Sequence, residues 1–144
     1  MLLDTNVLLY AACSSYAEHA HCRRLLEGIR GKPDPWFLTW PIVYEFLRVV
    51  THPRVLAKPW SAKHAWAFVE ALLASPSLTV LSPTGRHAAV ARDLFKDHSD
   101  LRGNILHDAH TAILMREHGI RTILTRDMGF HRFGFLDVAD PLHS

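Results

Sequence analysis

The sequence predicts an α/β protein built on a doubly wound parallel sheet, and three observations predict it. Short apolar runs of strand length alternate with amphipathic stretches of helix length along the whole chain. Runs such as Leu78-Thr79-Val80-Leu81 and Ile120 to Leu124 are apolar with little polar alternation, as strands covered on both faces read. The junctions carry turn chemistry, with GKPDP at 31–35 and HPRVLAKP at 52–59.

Met1 to Asp4 reads as a buried strand turning sharply into a helix, because Thr5 and Asn6 both carry cap-forming oxygens. Tyr16 to Ile29 predicts a helix with Ala17, Ala20, Leu25 and Ile29 near one side. Trp36 to Thr39 is the second strand, and Pro41 suits the first turn of a helix over 41–51. Ser61 caps a helix to about Ala74, on which Ala62, Ala65, Trp66, Val69 and Leu73 recur at helical spacing. Leu78 to Leu81 is the third strand, and Thr84 opens a helix to about Asp97. A loop over 98–104 ends at Asn104, a good N-cap for a helix from Ile105 to about His118 with Gly119 as its stop. Ile120 to Thr125 is the clearest strand, and a last one falls near 135–138.

At 144 residues, 49% hydrophobic and 21% charged, the chain reads as one globular domain spanning 1–144. A domain of this length buries roughly two-thirds of its unfolded surface, enough for a core without disulfides or a structural metal. Sixteen basic and fourteen acidic residues give +2, and seven basic against five acidic precede residue 61, so charge alone names no partner. Cys13 and Cys22 fit no zinc spacing and read as small apolar residues of helices, which points to a reducing compartment. With no basic leader at the start and no window near the roughly 18 apolar residues of a membrane span, a cytoplasmic protein with no membrane association is expected.

Open parallel sheets collect their sites at the carboxyl ends of the strands. Asp4 follows the first strand and Asp127 lies two residues past the clearest one. Asp108 stands in the first turn of the helix at 105–118, and Asn104, four residues earlier, shares its face. Glu45 interrupts the apolar run Pro41 to Leu47, an expensive place for a charge without a partner. Three of the four acids also have a plain structural explanation, Asp4 as a helix cap, Asp127 as a turn residue and Asp108 as a complement to the helix dipole, while Glu45 among apolar neighbours is harder to dismiss. Together, four convergent carboxylates repel unless a cation neutralises them, and a hard divalent ion, Mg²⁺ or Mn²⁺, suits oxygen donors. Such ions activate water and stabilise phosphoryl transition states, so the chemistry implied is phosphodiester hydrolysis.

The segments MLLDTNVLLYA (1–11), WPIVYEFLRVVTHPRV (40–55), LRGNILHDAHTAILMREHG (101–119) and TILTRDMGFHRF (122–133) resemble, in order and separation, the four motif blocks of PIN-domain nucleases, especially VapC-like toxins of toxin–antitoxin pairs. The resemblance implies a three-layer PIN-like fold, a central, mostly parallel sheet flanked by helices. It carries the metal-holding and catalytic positions onto Asp4, Glu45, Asp108 and Asp127, and the supporting polar positions onto Thr5, Asn6, Asn104 and Thr125. It further implies an endoribonuclease using Mg²⁺, with Mn²⁺ as a substitute, an RNA substrate cut by a metal-activated water, a homodimer, and a VapB-like antitoxin that wraps the toxin and blocks its site. His107 and His110 flank Asp108, and as nitrogen donors they suit a hard oxygen site poorly.

Arg48, Arg126 and Arg132 are candidate RNA-phosphate contacts, joined by Arg54, Lys58, Arg102 and His131. Of the four tryptophans, Trp60 in the proline loop is the candidate for stacking on an RNA base. Other readings stay open. The chain is alternatively a PIN nuclease of RNA processing or a non-catalytic RNA-binding regulatory PIN module. His107-Asp108 is also the dipeptide of HD-type phosphohydrolases, whose all-helical folds disagree with the strands signalled in this sequence.

Overall fold

The computed structural model describes residues 1–143. Five strands, β1 (Leu2–Leu3), β2 (Trp36–Thr39), β3 (Leu78–Leu81), β4 (Thr122–Leu124) and β5 (Asp137–Ala139), form one sheet in the order β3-β2-β1-β4-β5. Every pairing is parallel, so the expected mostly parallel sheet is wholly parallel. The helices are α1 (Thr5–Ala12), α2 (His19–Arg30), α3 (Trp40–Val50), α4 (Ala62–Leu73), α5 (His87–Asp97) and α6 (Ile105–Glu117). They group as α1 against α2 and α3, α3 against α4, and α5 against α6, flanking the sheet.

Strands and caps follow the sequence signals closely. Leu2, Leu3, Leu38, Ile123 and Leu124 are fully or almost fully excluded from water, as the unbroken apolar runs require. Thr39 ends β2 and caps α3, accepting from the Ile42 N–H at 3.2 Å, and Pro41 falls in the first turn. Ser61 caps α4 through the His64 N–H at 3.1 Å. Gly119 stops α6 at a φ of 72°, the left-handed turn that a side chain resists.

Several boundaries move for identifiable reasons. α2 starts at His19 rather than Tyr16, so Ala17 and Ala20 are exposed and the inward face is Cys22, Leu25, Leu26 and Ile29. Cys13 lies past the end of α1 instead of inside a helix. On α4 the buried stripe is Ala65, Val69 and Leu72, with Ala62 exposed and Trp66 and Leu73 at its margins. Thr84 precedes α5 as a turn residue whose hydroxyl accepts from the Arg86 N–H. The last strand is shifted to 137–139, and a 3₁₀ turn at Met128–Arg132, which no local sequence pattern announces, precedes it.

The 3₁₀ turn anchors the chain on the carboxyl side of β4. Its Phe130 and the following Phe133 are buried, each burial worth about 2–3 kcal/mol, and they pin this segment to the core. No helix among the described residues is long and apolar enough to cross a membrane.

Candidate metal and RNA-binding cleft

The chain winds from β1 outward through β2 to β3, then returns to the other side of β1 as β4 and β5. The gap between β1 and β4 is therefore the topological switch point, where crossovers depart in opposite directions and leave a crevice at the strand ends. Register then sets the residues in that crevice. Leu3 pairs with Leu124, which places Asp4 beside Thr125. The Asp4 N–H continues the ladder to the Leu124 carbonyl at 3.1 Å.

Asp4 is held from several directions. Its Oδ1 accepts from the Thr5 N–H at 2.8 Å, so it does cap α1. Its Oδ2 accepts from the Thr125 hydroxyl at 2.7 Å and from the Asn6 amide at 3.2 Å. Asn6 also reaches Thr125 Oγ1 at 3.1 Å, and Thr125 Oγ1 in turn accepts from the Asp127 N–H at 2.9 Å. One hydroxyl thus ties the acid after β1 to the acid after β4. Asp127 is a turn residue as well, its Oδ1 accepting from the Gly129 N–H at 2.8 Å. The structural roles and the convergence coexist in the same side chains.

Glu45 departs from the sequence expectation. The apolar neighbours Ile42, Val43 and Phe46 turn into the core, while helical periodicity leaves Glu45 exposed on the cleft side of α3. Its charge meets water rather than the interior, and its Oε2 accepts from the Thr5 hydroxyl at 3.1 Å. Asn104 occupies the N-cap position of α6 with no side-chain cap bond, and it lines the same cleft.

Asp4, Glu45, Asp108 and Asp127 all line one cleft of about 790 Å³, between walls of α3 and α6. Burial raises the Asp4 carboxyl above the usual aspartate range, against the pull of Thr125 and Thr5, and Asp127 and Glu45 push it further. Asp108 is pushed up to about 7 by burial first, then by the charges of Asp127, Asp4 and Glu45 and a hydrogen bond to Asp127. Gly129 makes the closest approach possible. A Cβ there would meet Asp127 Oδ1 at 3.0 Å, Asp108 Oδ2 at 3.2 Å and Ile105 at 3.3 Å.

The donors are all oxygen and predominantly anionic, the chemistry that suits Mg²⁺ or Mn²⁺, and the missing side chain at Gly129 leaves room for Asp108 and Asp127 to approach one another closely enough to hydrogen-bond. Among the described residues no three His, Cys, Asp or Glu side chains close into a ready-made cage. The four acids line the cleft instead, and the fit to a hard cation rests on their number and their oxygen donors.

The basic candidates divide. Arg48 lines the cleft on α3. Arg126 turns to Glu18 at 3.1 Å and Asp140 at 3.7 Å, and Arg132 reaches Asp100 at 3.8 Å, so both are partnered outside the cleft lining. Trp60 packs edge-on against Phe46, His64 and Phe68 and is not a free stacking surface. His107 lines the cleft as an exposed residue. His110 lies toward α5, its ring 5.8 Å from that of His87. Tyr44, not among the residues the sequence singles out, also lines the cleft; its place one turn before Arg48 is the signal that could have found it.

The comparisons with known proteins agree with this architecture. The PIN domain model matches residues 1–136. The chain is 40% identical over 142 residues to VapC ribonuclease Mb2897 of Mycobacterium bovis, covering 99% of this chain and 95% of that one. Among solved structures it resembles Mycobacterium tuberculosis VapC20, a sarcin-ricin loop cleaving toxin, with a TM-score of 0.67, 20% identity and coverage of 96% and 98%. It also resembles VapBC2 from Rickettsia felis, solved bound to a DNA fragment from their promoter, with a TM-score of 0.67, 15% identity and coverage of 96% of each chain. Four acids gathered at the switch point of a parallel sheet, on a chain matched nearly end to end, place this protein in the PIN-domain family, among the VapC ribonucleases.

Proposed function

We propose that the chain is an Mg²⁺-dependent endoribonuclease toxin, with Mn²⁺ as a substitute, hydrolysing RNA phosphodiester bonds and held in check by a VapB-like antitoxin. The observation that carries the reading is the set of four carboxylates lining one cleft, with Asp108 raised to about 7. Asp4, Asp108 and Asp127 would hold the cation, with Glu45 on the opposite wall completing the charge. A divalent ion bound there supplies charge for the phosphoryl transition state and lowers the pKa of water.

The chain's own residues do the rest. Thr125 and Asn6 fix the orientation of Asp4 through two hydrogen bonds to one oxygen, and Thr5 does the same for Glu45. Arg48, which lines the cleft on the Glu45 wall, would pair with RNA phosphate. The relative named a ribonuclease at 40% identity supports the substrate class, and the likeness to the solved VapBC2 supports the antitoxin; a homodimer is what the resemblance to VapC-like toxins implies.

End chemistry tests the mechanism. A water nucleophile leaves 5′-phosphate and 3′-hydroxyl ends, whereas attack by the RNA's own 2′-hydroxyl leaves cyclic phosphate. End-labelling of fragments from RNA incubated with the protein and Mg²⁺ is expected to show the former and to show no cleavage in excess EDTA. Cyclic phosphate ends, or cleavage that survives EDTA, overturn the proposal.

A further inference from the structure

α3 presents Tyr44, Glu45 and Arg48 to the cleft. Glu45 and Arg48 have evident uses there, and Tyr44 has none within the fold. Its side chain is 62% exposed while the same helix buries Ile42, Val43, Phe46 and Val50. Among the described residues its hydroxyl has no hydrogen-bond partner and its ring no aromatic or cationic neighbour. A large apolar ring left in water gains nothing for stability. Its position beside a reactive cleft is what asks for an explanation.

Tyr44 and Arg48 are one helical turn apart on α3, so the wall that carries Glu45 offers both a flat π surface and a cation, not in contact with each other. Unpaired RNA offers the complement to that pair. A splayed base stacks on an aromatic face while the adjoining phosphate meets an arginine. Bases within a duplex are stacked on one another and cannot make this contact. Trp60, the sequence's candidate for stacking, is already used against Phe46, His64 and Phe68.

We propose that Tyr44 is the stacking platform for the nucleobase beside the scissile phosphate, a specificity residue of the cleft. This deepens the nuclease reading and rests on it.

The test uses the full chain and a single-stranded RNA oligonucleotide containing the site it cuts, first identified on a randomised RNA pool. Tyr44→Ala, on an exposed helical face, leaves the fold intact and is expected to raise KM roughly tenfold to a hundredfold with kcat changed little. Tyr44→Phe and Tyr44→Trp, which keep a π face, are expected to restore KM to near wild type. An abasic nucleotide scanned through the RNA is expected to raise the wild-type KM at one position next to the cut, and at that position to have no further effect on Tyr44→Ala. An unchanged KM for Tyr44→Ala overturns the proposal. So does a loss that is indifferent to the abasic position and accompanies dissociation of a dimer by sedimentation, which assigns Tyr44 to self-association. If wild type cuts no RNA in the pool with Mg²⁺ or Mn²⁺, the nuclease reading itself fails, and this inference with it.

Discussion

Asp4 and Glu117 are both buried carboxylates, one at each end of the problem of keeping a charge inside a protein. Glu117, near the end of α6, has a side chain fully excluded from solvent and faces donors. Its Oε1 accepts from the Thr84 N–H at 2.8 Å and its Oε2 lies 2.7 Å from His87 Nδ1. The pair fastens the turn before α5 onto α6. Asp4 also has donors, from Thr5, Asn6 and Thr125, but burial and the neighbouring Asp127 and Glu45 hold its proton affinity up. A carboxylate that serves the fold is surrounded by what neutralises it. The other is placed against more acids, an arrangement that the proposed cation would complete.

The sharpest way to break that contrast is to neutralise each type in turn. Asp4→Asn and Asp108→Asn are expected to reduce RNA cleavage to background and yet to raise Tm in EDTA, because repulsion in the cleft is relieved. Mg²⁺ or Mn²⁺ then reverses the order, since only wild type gains binding energy, about 2.7 kcal/mol at a hundred times Kd or roughly 5–10 °C. Variants that melt below wild type in EDTA and respond to metal as it does would make these acids ordinary caps and turns.

Glu117→Ala is expected to do the opposite. It strands His87 and the Thr84 N–H, at a cost of about 2 kcal/mol for the lost hydrogen bonds, which lowers Tm by roughly 7 °C. Well below the melt, cleavage per folded molecule is expected to stay at the wild-type level. Differential scanning calorimetry with a parallel cleavage assay checks both halves, and an unchanged Tm would remove Glu117 as the fold's counterpart to Asp4.

The pH dependence carries the same distinction. In EDTA, Asp108 titrates near 7 in the folded protein and near the usual aspartate value of 3.8 in the unfolded chain. The folded state therefore binds the extra proton between these values, and stability falls as pH rises through that window. Below 3.8 the carboxyl is protonated in both states and the effect vanishes; above about 7 the penalty is complete. Urea midpoints of wild type minus Asp108→Asn, taken from acid to neutral pH, are expected to decline across the window and then level. Parallel curves would show that Asp108 does not carry the cost of burial and repulsion assigned to it.

The legible parts of the sequence are those set by local chemistry. The strands at 36–39 and 78–81 read correctly because both are short apolar runs between proline turns, and the Ser61 cap and Gly119 stop because each satisfies a helix end by itself. Asp4 and Asp127 are legible as acids at strand ends. What decides their partnership is register, Leu3 against Leu124, and no local pattern displays register. Glu45 stands out in the sequence for the wrong reason: a linear run of apolar residues hides which of them turn inward, and α3 sets Glu45 outward. Arg126 and Arg132 look free because Glu18, Asp140 and Asp100 are distant in sequence. Tyr44 is hidden because an aromatic in an apolar run reads as core.

The smallest effect separates room from conformation at two glycines. Gly129 has no positive φ, so any residue can adopt its backbone, yet a Cβ there would press on Asp127 Oδ1 and Asp108 Oδ2. Gly28 lies inside α2, and nothing stands within 4 Å of the Cβ it lacks. Gly28→Ala is therefore expected to stabilise the fold by about 0.5–1 kcal/mol through helix propensity, with metal binding unchanged. In Gly129→Ala the two carboxylates must give way by a few tenths of an ångström. The fold tolerates this because the atoms displaced are side-chain ends at a cleft, but the two carboxylates are then pushed out of the arrangement that brings them together. Calorimetric titration with Mn²⁺ is expected to show affinity weakened roughly tenfold, with Tm in EDTA close to wild type. Equal Mn²⁺ affinity in Gly129→Ala and Gly28→Ala would mean that the cation is held elsewhere among the acids, away from the Asp108 and Asp127 pair.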